Sequence, residues 1–142
     1  MKISTKGRYA LRVMIDLAMH REEGFIPLHA IAKRQDITVK YLEQIISLLS
    51  RAGFLQSVRG KSGGYRLVRE PGEYTVGEIL RATEGKLAPT LCLELGPELC
   101  QRRQLHGDCP ARAFWSEFYD LINDFLDHKT LQDLLPSGEP DP

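Results

Sequence analysis

The 142-residue chain carries 19 Lys and Arg against 19 Asp and Glu and is 42% hydrophobic, enough apolar material for one self-supporting core plus an appendage. The zero balance conceals a division: residues 1–69 hold 13 basic and 5 acidic side chains and residues 70–142 hold 6 and 14, so a half of charge +8 adjoins one of −8. Charges interrupt the opening MKISTKGRYALR every few positions, which excludes a signal-peptide core or membrane span there and sets the expectation of a cytoplasmic protein with no membrane partner.

Ser4 or Thr5 is suited to cap a first helix whose inner face is Ala10, Val13, Met14, Leu17 and Ala18, with Gly24 as its stop. Pro27 fits the first position of a short second helix turning Leu28, Ile31 and Ala32 inward, and Asp36 falls in the tight turn that follows. Thr38 caps a third helix that buries Leu42, Ile45, Ile46 and Leu49 and stops at Gly53. Two helices of this size joined by roughly three or four residues form a helix-turn-helix, whose second member enters the DNA major groove. FLQSVR and YRLVR then read as two strands, with Gly60-Lys61-Ser62-Gly63-Gly64 giving the backbone freedom a hairpin turn demands. That hairpin is a wing. A glycine-rich nucleotide loop is excluded because strands flank the segment on both sides, whereas a phosphate cradle needs a strand and a helix.

Thr75 and Glu78 form a capping box opening a fourth helix through Val76, Ile79 and Leu80 to Gly85. A loop carrying three cysteines follows. From about Ala111 to His128 an amphipathic helix gathers Phe114, Trp115, Phe118, Leu121, Ile122 and Phe125 on one face, with acidic residues opposite. A terminal turn spans Thr130 to Leu135, and the proline-rich PSGEPDP is expected to be disordered. The fold expected is therefore mainly α with a small β-hairpin: a winged helix-turn-helix domain over 1–85, a cysteine-bearing sensor loop over 86–110, a dimerisation helix and short terminal helix over 111–135, and a tail over 136–142.

The basic front half matches the electrostatic footprint of nucleic-acid binding. At the start of the third helix Lys40, Tyr41, Glu43 and Gln44, after the cap Thr38, point toward the major groove. Gln44 is able to pair with adenine, Glu43 to accept from a cytosine amine, and Tyr41 offers a ring and a hydroxyl. Arg59, beside Gly60 at the wing tip, suits a narrow minor groove. Thr5, Lys6, Arg8, Tyr9, Arg51, Lys61 and Tyr65 are assigned to phosphates. A heavy aromatic face on a late helix would leave a monomer with an exposed apolar patch, which points to a homodimer.

Taken in order, STKGRYALR, TVKYLEQI with LLSRAG, VRGKSGGYRL and the Trp115 helix ending in TLQDLL strongly resemble the IscR/NsrR/CymR-type family of bacterial winged-helix regulators, closest to its IscR-like branch. The resemblance covers nearly everything except the tail. It implies a homodimer paired through the long C-terminal helices, presenting two recognition helices to a pseudo-palindromic double-stranded DNA operator. The positions matching Tyr41, Glu43 and Gln44 lie in the groove, and Arg59 matches the wing arginine.

The resemblance further implies that Cys92, Cys100 and Cys109 hold an iron–sulfur cluster, 2Fe–2S first, with 4Fe–4S, zinc or no metal as alternatives. Thiolates suit such clusters, and an odd cysteine number in a cytosolic chain argues for a metal-binding or reactive role over a disulfide framework. The spacing Cys-x7-Cys-x8-Cys is longer than is usual in the family, and Arg112 stands where a histidine is often found. The fourth ligand is therefore open, with His106 first, then Asp108, Glu94 or Glu98; three cysteines with His106 also suit zinc. Arg8 occupies the position of an acidic ligand in the nitric-oxide-sensing branch, which argues against that branch.

The function expected is a dimeric DNA-binding regulator, read as a repressor, whose operator binding is modulated by the cluster. The alternative is a cofactor-free winged-helix regulator controlled by a protein partner or by thiol redox state. An enzyme is set aside because no Ser/His/Asp or Cys/His pairing occurs outside the cysteine segment; His20, His29 and His128 read as surface residues.

Overall fold

The computed structural model describes residues 1–137; the expected disordered tail lies, past Ser137, outside the described residues. Helix α1 spans Thr5–Met19, α2 Leu28–Gln35, α3 Val39–Arg51 and α4 Val76–Glu84. Strands β1 (Leu55–Val58) and β2 (Gly64–Leu67) form an antiparallel hairpin between α3 and α4. Two short helices, α5 (Leu91–Leu95) and α6 (Gln101–His106), precede the long α7 (Arg112–His128). The mainly helical winged fold is as expected.

Local chemistry sets the helix ends. The Ser4 hydroxyl accepts from Gly7 N at 3.1 Å, the Thr38 hydroxyl from Tyr41 N at 3.1 Å, and Thr75 and Glu78 form the reciprocal capping box. α1 ends at Met19 with His20 as its C-cap, so Gly24 is not its stop; that glycine closes a separate 3-10 turn, Arg21–Glu23. The charged Arg-Glu-Glu run supplies no apolar residue to extend the buried face. Pro27 likewise precedes α2 as its N-cap and is not its first helical residue. Asp36 adopts a left-handed conformation (φ 52°, ψ 51°) that lets α2 turn into α3.

The core joins Val13, Met14 and Leu17 of α1, Ile31 of α2, Leu42, Ile45 and Leu49 of α3, and Ile79 of α4. Asp16, only 3% exposed, ties α1 to α2. Arg34 Nη2 and Nε donate to its two carboxylate oxygens at 2.7 and 2.9 Å, and Gln35 Nε2 adds a third bond at 2.9 Å. A buried carboxylate is tolerable only with such bidentate, charge-assisted partners. Tyr74, fully buried, ties together the segments flanking the hairpin: its hydroxyl donates to Phe54 O at 2.7 Å and accepts from Val68 N and Arg69 N at 3.0 and 3.1 Å. The Arg69 guanidinium covers that ring at 4.2 Å and pairs with Glu78 at 2.7 Å. Burial alone would raise the Glu78 carboxyl, but Arg69 and the Thr75 hydrogen bonds hold it below its ordinary range.

The hairpin is anchored by a one-residue bridge, Ile26 N to Tyr65 O at 2.8 Å and Tyr65 N to Ile26 O at 2.9 Å. Its glycines serve different ends. Gly60 alone of the turn has a positive φ, 106°; a side chain on Gly63 would strike the Val58 carbonyl, and one on Gly64 the Ile26 carbonyl.

α7 packs on α4 through Leu126, set against Val76, Leu80 and Leu87. Beyond it the chain returns to the core: Val76 N donates to Lys129 O at 2.8 Å, Leu131 N to Tyr74 O at 2.9 Å, and the Leu131 side chain is completely buried. Among the described residues no helix is long and apolar enough to cross a membrane.

Candidate functional site

The outer face of α3 carries Lys40, Gln44, Ser47 and Arg51 at i, i+4, i+7 and i+11, so they form one stripe down the helix. With Glu43, Leu48 and Lys6 of α1 they line a shallow surface groove. Lys40, Glu43, Gln44, Ser47 and Arg51 are exposed, which leaves their polar ends available to a ligand. Among the described residues none of Lys6, Lys40, Arg51, Arg59 and Lys61 forms an ion pair, whereas Arg21, Arg34, Arg69 and Arg81 are matched with carboxylates. The unpaired cations of α1, α3 and the wing are thus held without local neutralisation, as binding to a polyanion requires.

Two tyrosines, Tyr9 of α1 and Tyr41 of α3, lie outside this stripe. The rings of Tyr9 and Tyr41 meet edge-on with centroids 5.9 Å apart, both half-buried, and Arg12 covers Tyr9 at 4.8 Å. Their rings therefore brace α1 against α3, and Thr38 is engaged in capping. Thr5 and Arg8 are exposed at the start of α1, where Arg8 Nη2 donates to the Thr5 hydroxyl at 3.3 Å. Glu84 secures that helix end, accepting from Ser4 N and Ser4 Oγ at 3.0 and 2.5 Å.

A second groove runs between the wing and the start of α2, lined by Leu28, His29, Val39, Arg59, Gly60, Lys61 and Tyr65 among others. Arg59, Gly60 and Lys61 are exposed at the hairpin turn; Tyr65 is half-buried, packed on the core and held by its backbone bridge to Ile26. Sequence reasoning names no role for Ser47 and reads His29 as a surface residue, which it is, without placing it beside the wing. Ser47 was detectable as the residue one turn beyond Gln44 on the same face, while the proximity of His29 to the wing depends on the Ile26–Tyr65 bridge and has no local signature.

Residues 86–110 are not the plain loop expected: α5, a 3-10 turn at Pro97–Leu99 and α6 occupy them. Cys92, Cys100 and Cys109 are free and half-buried, and Thr90 Oγ1 lies 3.2 Å from Cys92 Sγ. His106, at the end of α6, is exposed, as are Glu94, Glu98 and Asp108. Among the described residues no three His, Cys, Asp or Glu side chains come together in a metal-holding group. The cysteines are thus close in sequence without being gathered in space. The donor chemistry nonetheless fits an iron–sulfur group, since three free thiols stand within one short segment: Cys92 in α5, Cys100 between the 3-10 turn and α6, and Cys109 between α6 and α7.

α7 divides the apolar face expected of it. Trp115, Tyr119, Ile122 and Leu126 are half-buried, Leu126 against α4, while Phe114, Phe118, Leu121 and Phe125 are 59, 38, 67 and 61% exposed. Phe114 and Phe118 stack with parallel rings 6.4 Å apart, and Trp115 meets Phe114 edge-on at 4.9 Å. An aromatic strip of this size left open to water is the mark of an interaction surface.

A profile of the Rrf2 family, described as iron-dependent transcriptional regulators, matches residues 3–137. The HTH-type transcriptional regulator IscR of Pectobacterium atrosepticum is 40% identical over 140 residues, 98% of this chain and 82% of the relative. Among solved structures, CymR (YrzC), the global cysteine regulator of B. subtilis, is similar with a TM-score of 0.78 and 40% identity, covering 94% of this chain and 95% of that one. T. potens IscR is similar with a TM-score of 0.75 and 38% identity, covering 98% and 89%.

Proposed function

Because this chain belongs to the Rrf2 family of transcriptional regulators, we propose that it is a cytoplasmic DNA-binding repressor acting as a homodimer on a pseudo-palindromic operator. One observation carries this: unpaired cations on α1, on the outer face of α3 and at the wing tip flank exposed Glu43 and Gln44. In this arrangement α3 enters the major groove. Gln44 and Glu43 read base edges, with Ser47 one turn further along. Arg59 enters the adjoining minor groove beside Gly60. Lys6, Arg8, Arg51 and Lys61, with the Thr5 hydroxyl, hold phosphates, while Tyr9, Tyr41 and Tyr65 contribute through their hydroxyl edges. Selection from a randomised duplex pool tests this: enrichment of a two-fold symmetric sequence is expected, and recovery of no consensus would contradict it.

Cys92, Cys100 and Cys109 would hold an iron–sulfur cluster, 2Fe–2S first, with His106 the leading fourth ligand. The family's description as iron-dependent and the three free thiols support this. Such a cluster supplies a centre sensitive to oxygen and redox state. The thiols are the residues that would move: bringing them together requires residues 91–109, which join α4 to α7, to rearrange. A cofactor-free alternative, controlled by thiol state or a protein partner, is favoured by the dispersal of the cysteines and by the likeness to a global cysteine regulator. Anaerobic purification separates the two. Brown protein with matching iron and sulfide supports the cluster; colourless protein whose DNA affinity changes with thiol oxidation supports the alternative.

A further inference from the structure

α7 carries the exposed aromatic strip at one side and a polar clamp at the other. Arg81 of α4 reaches across, donating from Nη1 to Asp127 Oδ1 at 2.6 Å, and from Nη2 to Asp127 Oδ2 at 3.2 Å and Asn123 Oδ1 at 2.6 Å. Asn123 is itself oriented, its Nδ2 donating to Tyr119 O at 2.8 Å. Gly77 leaves room for the clamp, because a side chain there would strike Asp127 Oδ1 and approach Arg81 Nη1 to 2.9 Å. The backbone bonds at Lys129 and Leu131 complete the attachment. α4 in turn packs on α1 and on α3, the helix that would read DNA.

We propose that the Arg81–Asp127–Asn123 clamp, seated over Gly77, sets the operator spacing this protein accepts, by fixing the angle between the α7 dimer face and the recognition helix α3. This deepens the dimeric DNA-binding function above and rests on it. Two recognition helices are carried at a separation determined by the α7–α7 contact and by the tilt of each domain on its own α7. Only the tilt is set within one chain; the backbone bonds at Lys129 and Leu131 fix the end of α7, and the clamp is the side-chain determinant of its angle. Apolar packing through Leu126 alone tolerates sliding and rotation, whereas a bidentate guanidinium–carboxylate pair with a third bond favours one geometry. One base pair added between half-sites displaces the second by about 3.4 Å and rotates it by about 35°. A rigid dimer cannot follow that change without distorting itself or the duplex.

The test measures binding to a single half-site and to a series of selected operators whose spacer is lengthened or shortened by one or two base pairs. The parent is expected to prefer its own spacer on the order of tenfold or more. Asp127→Asn, which keeps shape and loses charge, and Arg81→Gln are expected to bind the half-site within about twofold of the parent, to remain dimeric, and to lose most of the spacer preference. Gly77→Ala, whose methyl takes the space of the Asp127 and Arg81 side-chain ends, is expected to displace the clamp and weaken the spacer preference in the same sense. Undiminished preference in both clamp variants would overturn the proposal. So would loss of dimerisation or of half-site binding in Asp127→Asn, since the clamp would then sustain the fold and not the spacing. A parent protein that binds no half-site, or is monomeric, refutes the underlying function instead, so the two failures are distinguishable.

Discussion

Arg51→Ala removes a guanidinium that stands exposed on the α3 stripe with no carboxylate partner among the described residues. Its removal therefore leaves no acidic group behind and disturbs no core contact. Each phosphate contact contributes about 0.9 to the slope of log affinity against log salt. A dimer loses two contacts, so the slope should become shallower by about 1.8. Between 50 and 200 mM salt this makes the parent lose roughly tenfold more affinity than the variant, on operator and unrelated duplex alike. Fluorescence anisotropy with a labelled duplex at four or more salt concentrations reads this directly. Arg21→Gln serves as control, because that side chain is paired with Glu70 outside the groove, and its slope should match the parent. An Arg51→Ala slope equal to the parent's, or an equal effect in Arg21→Gln, would refute the assignment of the unpaired cations to the phosphate backbone.

Tyr74→Phe removes the hydroxyl bridging Phe54, Val68 and Arg69, taking the acceptor from Arg69 N and leaving Phe54 O only the 3.3 Å bond from Val68 N. A loss of about 1–3 kcal/mol is expected, read by calorimetry as a Tm lower by roughly 3–10 °C; an unchanged Tm would show that the joint is not structural. Gly64→Ala drives a methyl into the Ile26 carbonyl, so denaturant melts should show about 1–3 kcal/mol lost and wing contacts to DNA weakened; parent-like stability would mean that the bridge yields without cost. Glu78, whose carboxyl is held below its ordinary 4.5 by Arg69 and Thr75, contributes stability that is complete above that value and lost as pH falls through the lowered one. Glu78→Gln should accordingly be less stable than the parent near neutrality, with the gap narrowing below about pH 4.5 in urea midpoints; a gap that widens on acidification would contradict the sign.

The winged domain was legible because its signals are local. Ser4, Thr38 and the Thr75–Glu78 box each cap a helix whose apolar residues recur at helical spacing, and burial of Leu42, Ile45, Ile46 and Leu49 needs only that periodicity. α5 and α6 escaped because helices of five and six residues without side-chain caps lie below the length at which propensity and periodicity speak. The division of α7 escaped for another reason: Trp115 and Ile122 share one broad apolar arc with Phe114, Phe118, Leu121 and Phe125, and only tertiary packing separates the covered side from the open one. Leu131 looked like part of a terminal turn, yet it completes the core, since its place depends on the pairing of Lys129 and Leu131 with the chain around Tyr74. Asp16–Arg34 and Arg81–Asp127 are likewise products of tertiary approach between residues distant in sequence.

The most direct measurement is sedimentation equilibrium of the purified protein, alone and with a selected two-fold symmetric duplex. Two chains in free solution, and the same two chains on each duplex, is the predicted result. A single chain that stays monomeric, with no more attraction for DNA at low salt than a neutral control protein has, would contradict a cationic surface displayed in duplicate by paired α7 helices.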